Sequence, residues 1–177
     1  MLASVFCATS LDGFIARADG GLDWLPADGE PHGYEEFIAT IDAIVMGRNT
    51  FETVLTFGEW AFAKPVVVLT STPQRFKAPA GADCQFMGGT PLEVIARLSE
   101  RGFRHLYVDG GITVQRFLAA RLIQRLTITR IPVVLGSGIP LFGAVDGDIL
   151  FEHVATRSYA SGLVQSEYRV AGGGVLR

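Results

Sequence analysis

A chain of 177 residues that is 49% hydrophobic and 19% charged can bury a full core without metals or disulfides, which excludes disorder. A net charge of -3, a pI near 5.6 and the lack of any basic run argue against an electrostatic nucleic-acid binder. One domain over residues 1–170 is expected, with the aperiodic AGGGVLR at 171–177 a frayed tail.

The first stretch, MLASVFCATSLDGFIA, has no basic leader and meets Asp12 too early for a signal sequence or a membrane span. Leu2 to Ala8 therefore reads as a strand. Tyr34 to Ile41 follows as a helix with Tyr34, Phe37, Ile38 and Ile41 on one stripe and Glu35 and Glu36 off it. Ala43 to Met46 is a strand, Thr50 to Thr56 a helix, and Pro65 to Thr70 a strand. Cys84 to Met87, Arg104 to Val108 and two more helices, Pro91 to Arg101 and Thr113 to Ala120, continue the alternation, which means a mostly parallel sheet with crossover helices. After Leu122 three strand-like segments follow without a helix, so the sheet is expected to finish antiparallel. Cys7 and Cys84 lie in apolar runs without CxxC spacing, as buried reduced thiols do, and this fits a cytoplasmic protein.

Two strand-to-helix junctions suit an anion. At AIVMGRNTFETV, Gly47 permits close approach to the backbone, Arg48 can fork onto phosphate, Asn49 is polar, and Thr50 can cap the helix while offering its hydroxyl. The competing reading is a capped helix whose arginine faces water. At LYVDGGITVQRFL, Gly110 and Gly111 strip side chains from the strand exit just before Ile112 and Thr113, although a tight turn would need the same glycines. Ligands of open α/β sheets bind at the carboxyl ends of strands, so the pair is more informative than either alone. A third strand end offers Leu69, Thr70 and Ser71, then Arg75, with no acid for a ribose 2'-hydroxyl; this favours the 2'-phosphate of NADP over NAD, a polar surface turn being the alternative.

Other chemistries lack their motifs. Gly136-Ser137-Gly138 continues as Ile-Pro-Leu, so GxGxxG fails, and neither a P-loop nor GxSxG is present. His32, His105 and His153 share no spacing, and no metal is expected.

Together SLDGFIA (Ser10 to Ala16), VMGRNTFE (Val45 to Glu52), VDGGITVQRFL (Val108 to Leu118) and PVVLGSGIPLF (Pro132 to Phe142) resemble, in order, the dihydrofolate reductase superfamily. The closest branch is similar to the reductase domain of the riboflavin-biosynthesis deaminase-reductase. The resemblance implies a three-layer α/β/α fold and NADPH as cofactor. It implies that Gly47, Arg48, Thr50, Gly110 and Gly111 face the cofactor phosphates, Thr70 and Ser71 its adenosine end, and Ile15 and Ala16 its nicotinamide.

Two departures concern the substrate. Trp24-Leu-Pro-Ala-Asp28 is similar to the segment carrying the pterin-binding acid of dihydrofolate reductases, which makes Asp28 the candidate catalytic acid and Trp24 a candidate pocket wall, but Gly29 and Pro31 put Asp28 on a loop. Phe14 replaces the lysine usual in the riboflavin branch, leaving Arg17 or Arg130 to hold a substrate phosphate. The expectation is hydride transfer to a pterin-like or pyrimidine-like ring, closest to 5-amino-6-(5-phosphoribosylamino)uracil reductase. The alternatives are dihydrofolate reductase-type activity and, from another class, a nucleotide-binding protein of this fold without turnover. Apolar Leu150, Val154 and Tyr159 on late edge strands need covering, so a homodimer is expected.

Overall fold

The computed structural model describes residues 1–26 and 32–172. Its elements in chain order are β1 (Leu2–Thr9), β2 (Phe14–Ala16), α1 (Tyr34–Thr40), β3 (Ala43–Gly47), α2 (Arg48–Leu55), β4 (Val66–Leu69), β5 (Cys84–Met87), α3 (Pro91–Glu100), β6 (His105–Asp109), α4 (Gly111–Ala119), β7 (Arg125–Arg130), β8 (Ile139–Pro140), β9 (Phe151–Ser158) and β10 (Val164–Val170). A short 3-10 turn, Pro73–Arg75, follows β4.

Eight strands form one sheet in the order β5-β4-β3-β6-β1-β7-β10-β9. The first six are parallel, and β10 runs antiparallel to both β7 and β9. The expected antiparallel finish is therefore present, but it begins one strand later than the texture of the sequence suggests, because Leu126 to Arg130 extends β1 in parallel register.

Alternation within the central strands sorts side chains onto two faces. Val5, Val45, Val67, Leu106 and Val108 pack against Val94 and Leu98 of α3 and Val114 and Phe117 of α4. Their neighbours Phe6, Ile44, Met46, Val66, Val68 and Tyr107 pack on the opposite side with Phe51 of α2 and Tyr34, Phe37 and Ile38 of α1. The result is the three-layer α/β/α arrangement. The stripe on α1 is half-buried rather than buried, and Ile41, at 1% exposure, is the extended residue just after the helix.

The small β2–β8 sheet has no periodic signal in the sequence, because it pairs only Phe14 with Pro140 and Ala16 with Ile139. Asp12 helps to tie it. Its carboxylate accepts from Ser10 Oγ at 2.6 Å, Gly136 N at 2.7 Å and Leu135 N at 3.2 Å, clasping the β1 exit to the glycine-rich late loop. The Ser10 hydroxyl and the two amides hold this carboxyl below its ordinary value. Because the folded value is depressed, the stability it confers is present above the unfolded carboxylate value of about 3.9 and is lost as the pH falls through the folded one. Asp12→Ala is expected to lower Tm by a few degrees near neutrality, with the gap to the parent protein closing in acid; thermal melts across pH check this.

Among the described residues no helix is long and apolar enough to cross a membrane, and no cluster of histidine, cysteine and acidic side chains has metal-binding geometry.

Candidate active site

The parallel strands present their carboxyl ends along one edge of the sheet, and an open cleft of about 1380 Å³ runs there from β5 to β7. Ligand sites commonly span about 300–1,000 Å³, so this one has room for a dinucleotide and a second small ring.

At its centre the two sequence junctions interlock. Gly47 is extended and precedes α2, whose first residue is Arg48. Thr50 therefore sits inside the first turn and does not cap the helix, as the sequence suggested; its hydroxyl points across to the other junction. There Gly110, at φ 87 and ψ 144, separates β6 from α4, and a Cβ on it would collide with Thr50 Oγ1. A Cβ on Gly47 would lie 2.8 Å from Thr113 Oγ1, and one on Gly111 would come within 2.7 Å of Ile139 Cγ2 and 3.2 Å of Ile15 Cδ1. Bare backbone, two threonine hydroxyls and two helix starts thus meet at one place. The first N–H groups of a helix have no intrahelical acceptor and sit at its positive pole, which is the chemistry that holds a diphosphate. Arg48 stands beside them, loosely held by Asn49 Oδ1 at 3.3 Å and by Glu52 at 4.0 Å. These residues fit a nicotinamide dinucleotide.

Ile15 and Ala16, Gly47 through Thr50, Leu69 through Ser71 and Gly110 through Thr113 all line this cleft. Arg75 does not: the 3-10 turn after Thr72 carries it away as an exposed side chain. Trp24 is half-buried and outside the wall, while its neighbours Leu22 and Leu25 line it. Asp28 lies outside the described residues.

Two features of the cleft went unread in the sequence. Gly88 and Gly89 form another diglycine exit, from β5, where a Cβ on Gly88 would sit 3.1 Å from the Thr70 carbonyl. The run MGGTP before a helix repeats the pattern of the other junctions and could have been read as such. The second is Asp109, the last residue of β6. Burial pushes its carboxyl above the ordinary value, against the opposing hydrogen bond from Gly110 N, at 2.8 Å to Oδ1, while the nearby Tyr107 hydroxyl donates to the Phe6 carbonyl at 2.8 Å. Its signal was its position, an acid closing a strand that is buried on both faces. Cys7 lies on the same wall, where burial and then the charge of Asp109 push its thiol far up, so it is an un-ionised wall group and not a nucleophile.

The sequence model of the RibD C-terminal domain family matches residues 4–165. The chain belongs to that family. A putative riboflavin biosynthesis protein from Shewanella sp. PV-4 is 37% identical, with a TM-score of 0.88 over 97% of this chain and 99% of that one. The uncharacterized protein YwjB of Bacillus subtilis is 34% identical across 93% of this chain and 95% of its own length. A dihydrofolate reductase from Enterococcus faecalis, complexed with NADP(H), shares the fold at a TM-score of 0.68 and 22% identity, covering 96% of each chain. The RibD C-terminal domain fold is thus a dihydrofolate reductase-like α/β fold.

Proposed function

We propose that the protein is an NADPH-dependent reductase that delivers hydride to a planar nitrogen heterocycle, pterin-like or pyrimidine-like, by the reaction type of 5-amino-6-(5-phosphoribosylamino)uracil reductase. The observation that carries this reading is the interlock of the Gly47 and Gly110 junctions, Thr113 against one and Thr50 against the other. Membership of the RibD C-terminal domain family supports it.

NADPH, when bound, supplies the hydride. The first-turn amides of α2 and α4, with Thr50 and Thr113, hold its diphosphate, and Arg48 adds a forked cation. Thr70 and Ser71 take the adenosine end, at the β4 exit. Ile15 and Ala16, on the β2 strap above Gly111, set the nicotinamide face and keep water from it. Asp109 holds the proton: its raised value keeps the carboxyl protonated further toward neutrality than an ordinary aspartate, ready to donate to a ring nitrogen. Asp28, the acid singled out in the sequence, is the second candidate for that proton.

NADPH oxidation measured against a panel of pterins and aminopyrimidines tests the reading. Turnover of at least one ring is expected. Tight NADPH binding with no oxidation of any of them would leave a nucleotide-binding protein, and no NADPH binding at all would overturn the assignment.

The free, half-buried Cys7 and Cys84 suit a reducing cytoplasm. The protein acts there as a homodimer: β9 is an edge strand with Val154 54% exposed. Light scattering at micromolar concentration is expected to return twice the 19.0 kDa chain mass, and a single chain mass would remove the dimer.

A further inference from the structure

The cleft is divided by charge. Among the described residues its two arginines, Arg48 on α2 and Arg116 on α4, belong to the two helices whose starts form the diphosphate cradle. The other end, beneath β1 and β7, is walled by Phe6, Tyr34, Tyr107, Leu25, Ile131 and Leu163 and carries no arginine or lysine.

Each cation that might serve this end is committed elsewhere. Arg17 makes a two-pronged bond to Asp23, at 2.6 and 2.8 Å, on the exposed surface. Arg130 sits between Thr129 and Ile131, both on the cleft wall, so the strand's alternation turns it to the opposite face, where it is exposed. Lys64 and Lys77, the chain's two lysines, are not on the wall.

What this end does offer is mostly flat or acidic, with the His32 imidazole 5.8 Å from the Phe6 ring as its one basic side chain among the described residues. Phe6 packs at 5.6 Å from Tyr34 and 5.0 Å from Phe37, giving a rigid aromatic wall. Thr129, also on this wall, accepts at Oγ1 from Gln165 Nε2 at 2.9 Å, which leaves its hydroxyl proton uncommitted by that bond. Asp109 and the exposed Asp19 are its acids.

Resting on the reductase reading above, we infer that the substrate is a neutral or cationic planar heterocycle without a phosphate group. A phosphate monoester carries about -1.5 to -2 charges near neutrality and needs cations or a cluster of N–H donors to offset its lost hydration. Among the described residues this end supplies no arginine or lysine and a single imidazole, His32, and the carboxylate of Asp19 repels the group.

The test is calorimetric titration of the NADP⁺-saturated protein with matched pairs: 6-hydroxymethylpterin and its phosphate, and 5-amino-6-(ribosylamino)uracil and its 5'-phosphate. In at least one pair the phosphate-free member is expected to bind about tenfold or more tightly than its partner. Equal affinities, tighter binding of the phosphorylated members, or no binding of any of the four at millimolar concentration would each overturn the inference. Failure of the protein to saturate with NADP⁺ in the preceding titration would instead overturn the reductase reading beneath it.

Discussion

Gly110→Ala is expected to weaken NADPH binding by about 100-fold or more, equivalent to roughly 2.8 kcal/mol. Two effects act together. The backbone at φ 87 and ψ 144 lies in a region that is almost exclusive to glycine, and occupying it with alanine costs about 1–3 kcal/mol. The new methyl group also collides with Thr50 Oγ1 and pushes the α2 and α4 starts apart, so the amides no longer converge on one diphosphate. A Tm lower by several degrees is expected from the strain, and circular dichroism separates that from unfolding. Fluorescence titration of NADPH against both proteins reads the loss, and an unchanged dissociation constant in Gly110→Ala would contradict the cradle.

Asp109→Asn is expected to cut kcat by about 10²–10⁴-fold while raising Tm at neutral pH. The two signs follow from one cause. Burial raises the folded carboxyl above its unfolded value of about 3.9, so its favourable contribution is complete in acid and is lost as the pH rises through the folded value. Near neutrality the parent protein therefore bears the cost of a buried charge or of taking up a proton. Asparagine keeps an oxygen for the 2.8 Å bond from Gly110 N and carries no charge. The parent kcat is expected to fall as the pH rises through the raised value, and the variant profile is expected to lose that limb. A purely structural Asp109 would leave the profile unmoved. Asp28→Asn serves as the comparison, and a loss confined to Asp28→Asn would transfer the proton to that residue.

The fold was legible because its central strands bury both faces. VVVL and HLYV have no polar alternation, and only a parallel sheet covered by helices on both sides accommodates such runs. Gly47 and Gly110 were legible for a related reason, since glycine at a strand exit marks backbone that something must approach. The β2–β8 strap was not, because three residues against two give no period, and the contacts that tie it, the Asp12 carboxylate and the Leu11–Val133 and Leu141–Gly13 backbone bonds, each act across more than a hundred residues. The displacement of Arg75 from the cleft was equally hidden: Pro73 starts a 3-10 turn, and the direction in which such a turn throws its last side chain depends on tertiary packing. Asp109 stood in plain view within VDGG, but a carboxyl closing a strand reveals its chemistry only when its burial is known.

A crystal structure with NADP⁺ tests the central claim most directly. The diphosphate is expected between Gly47–Arg48 and Gly110–Gly111, within hydrogen-bond reach of the first amides of both helices and of the Thr50 and Thr113 hydroxyls. A diphosphate bound outside that interlock, or reached by one junction alone, would contradict it.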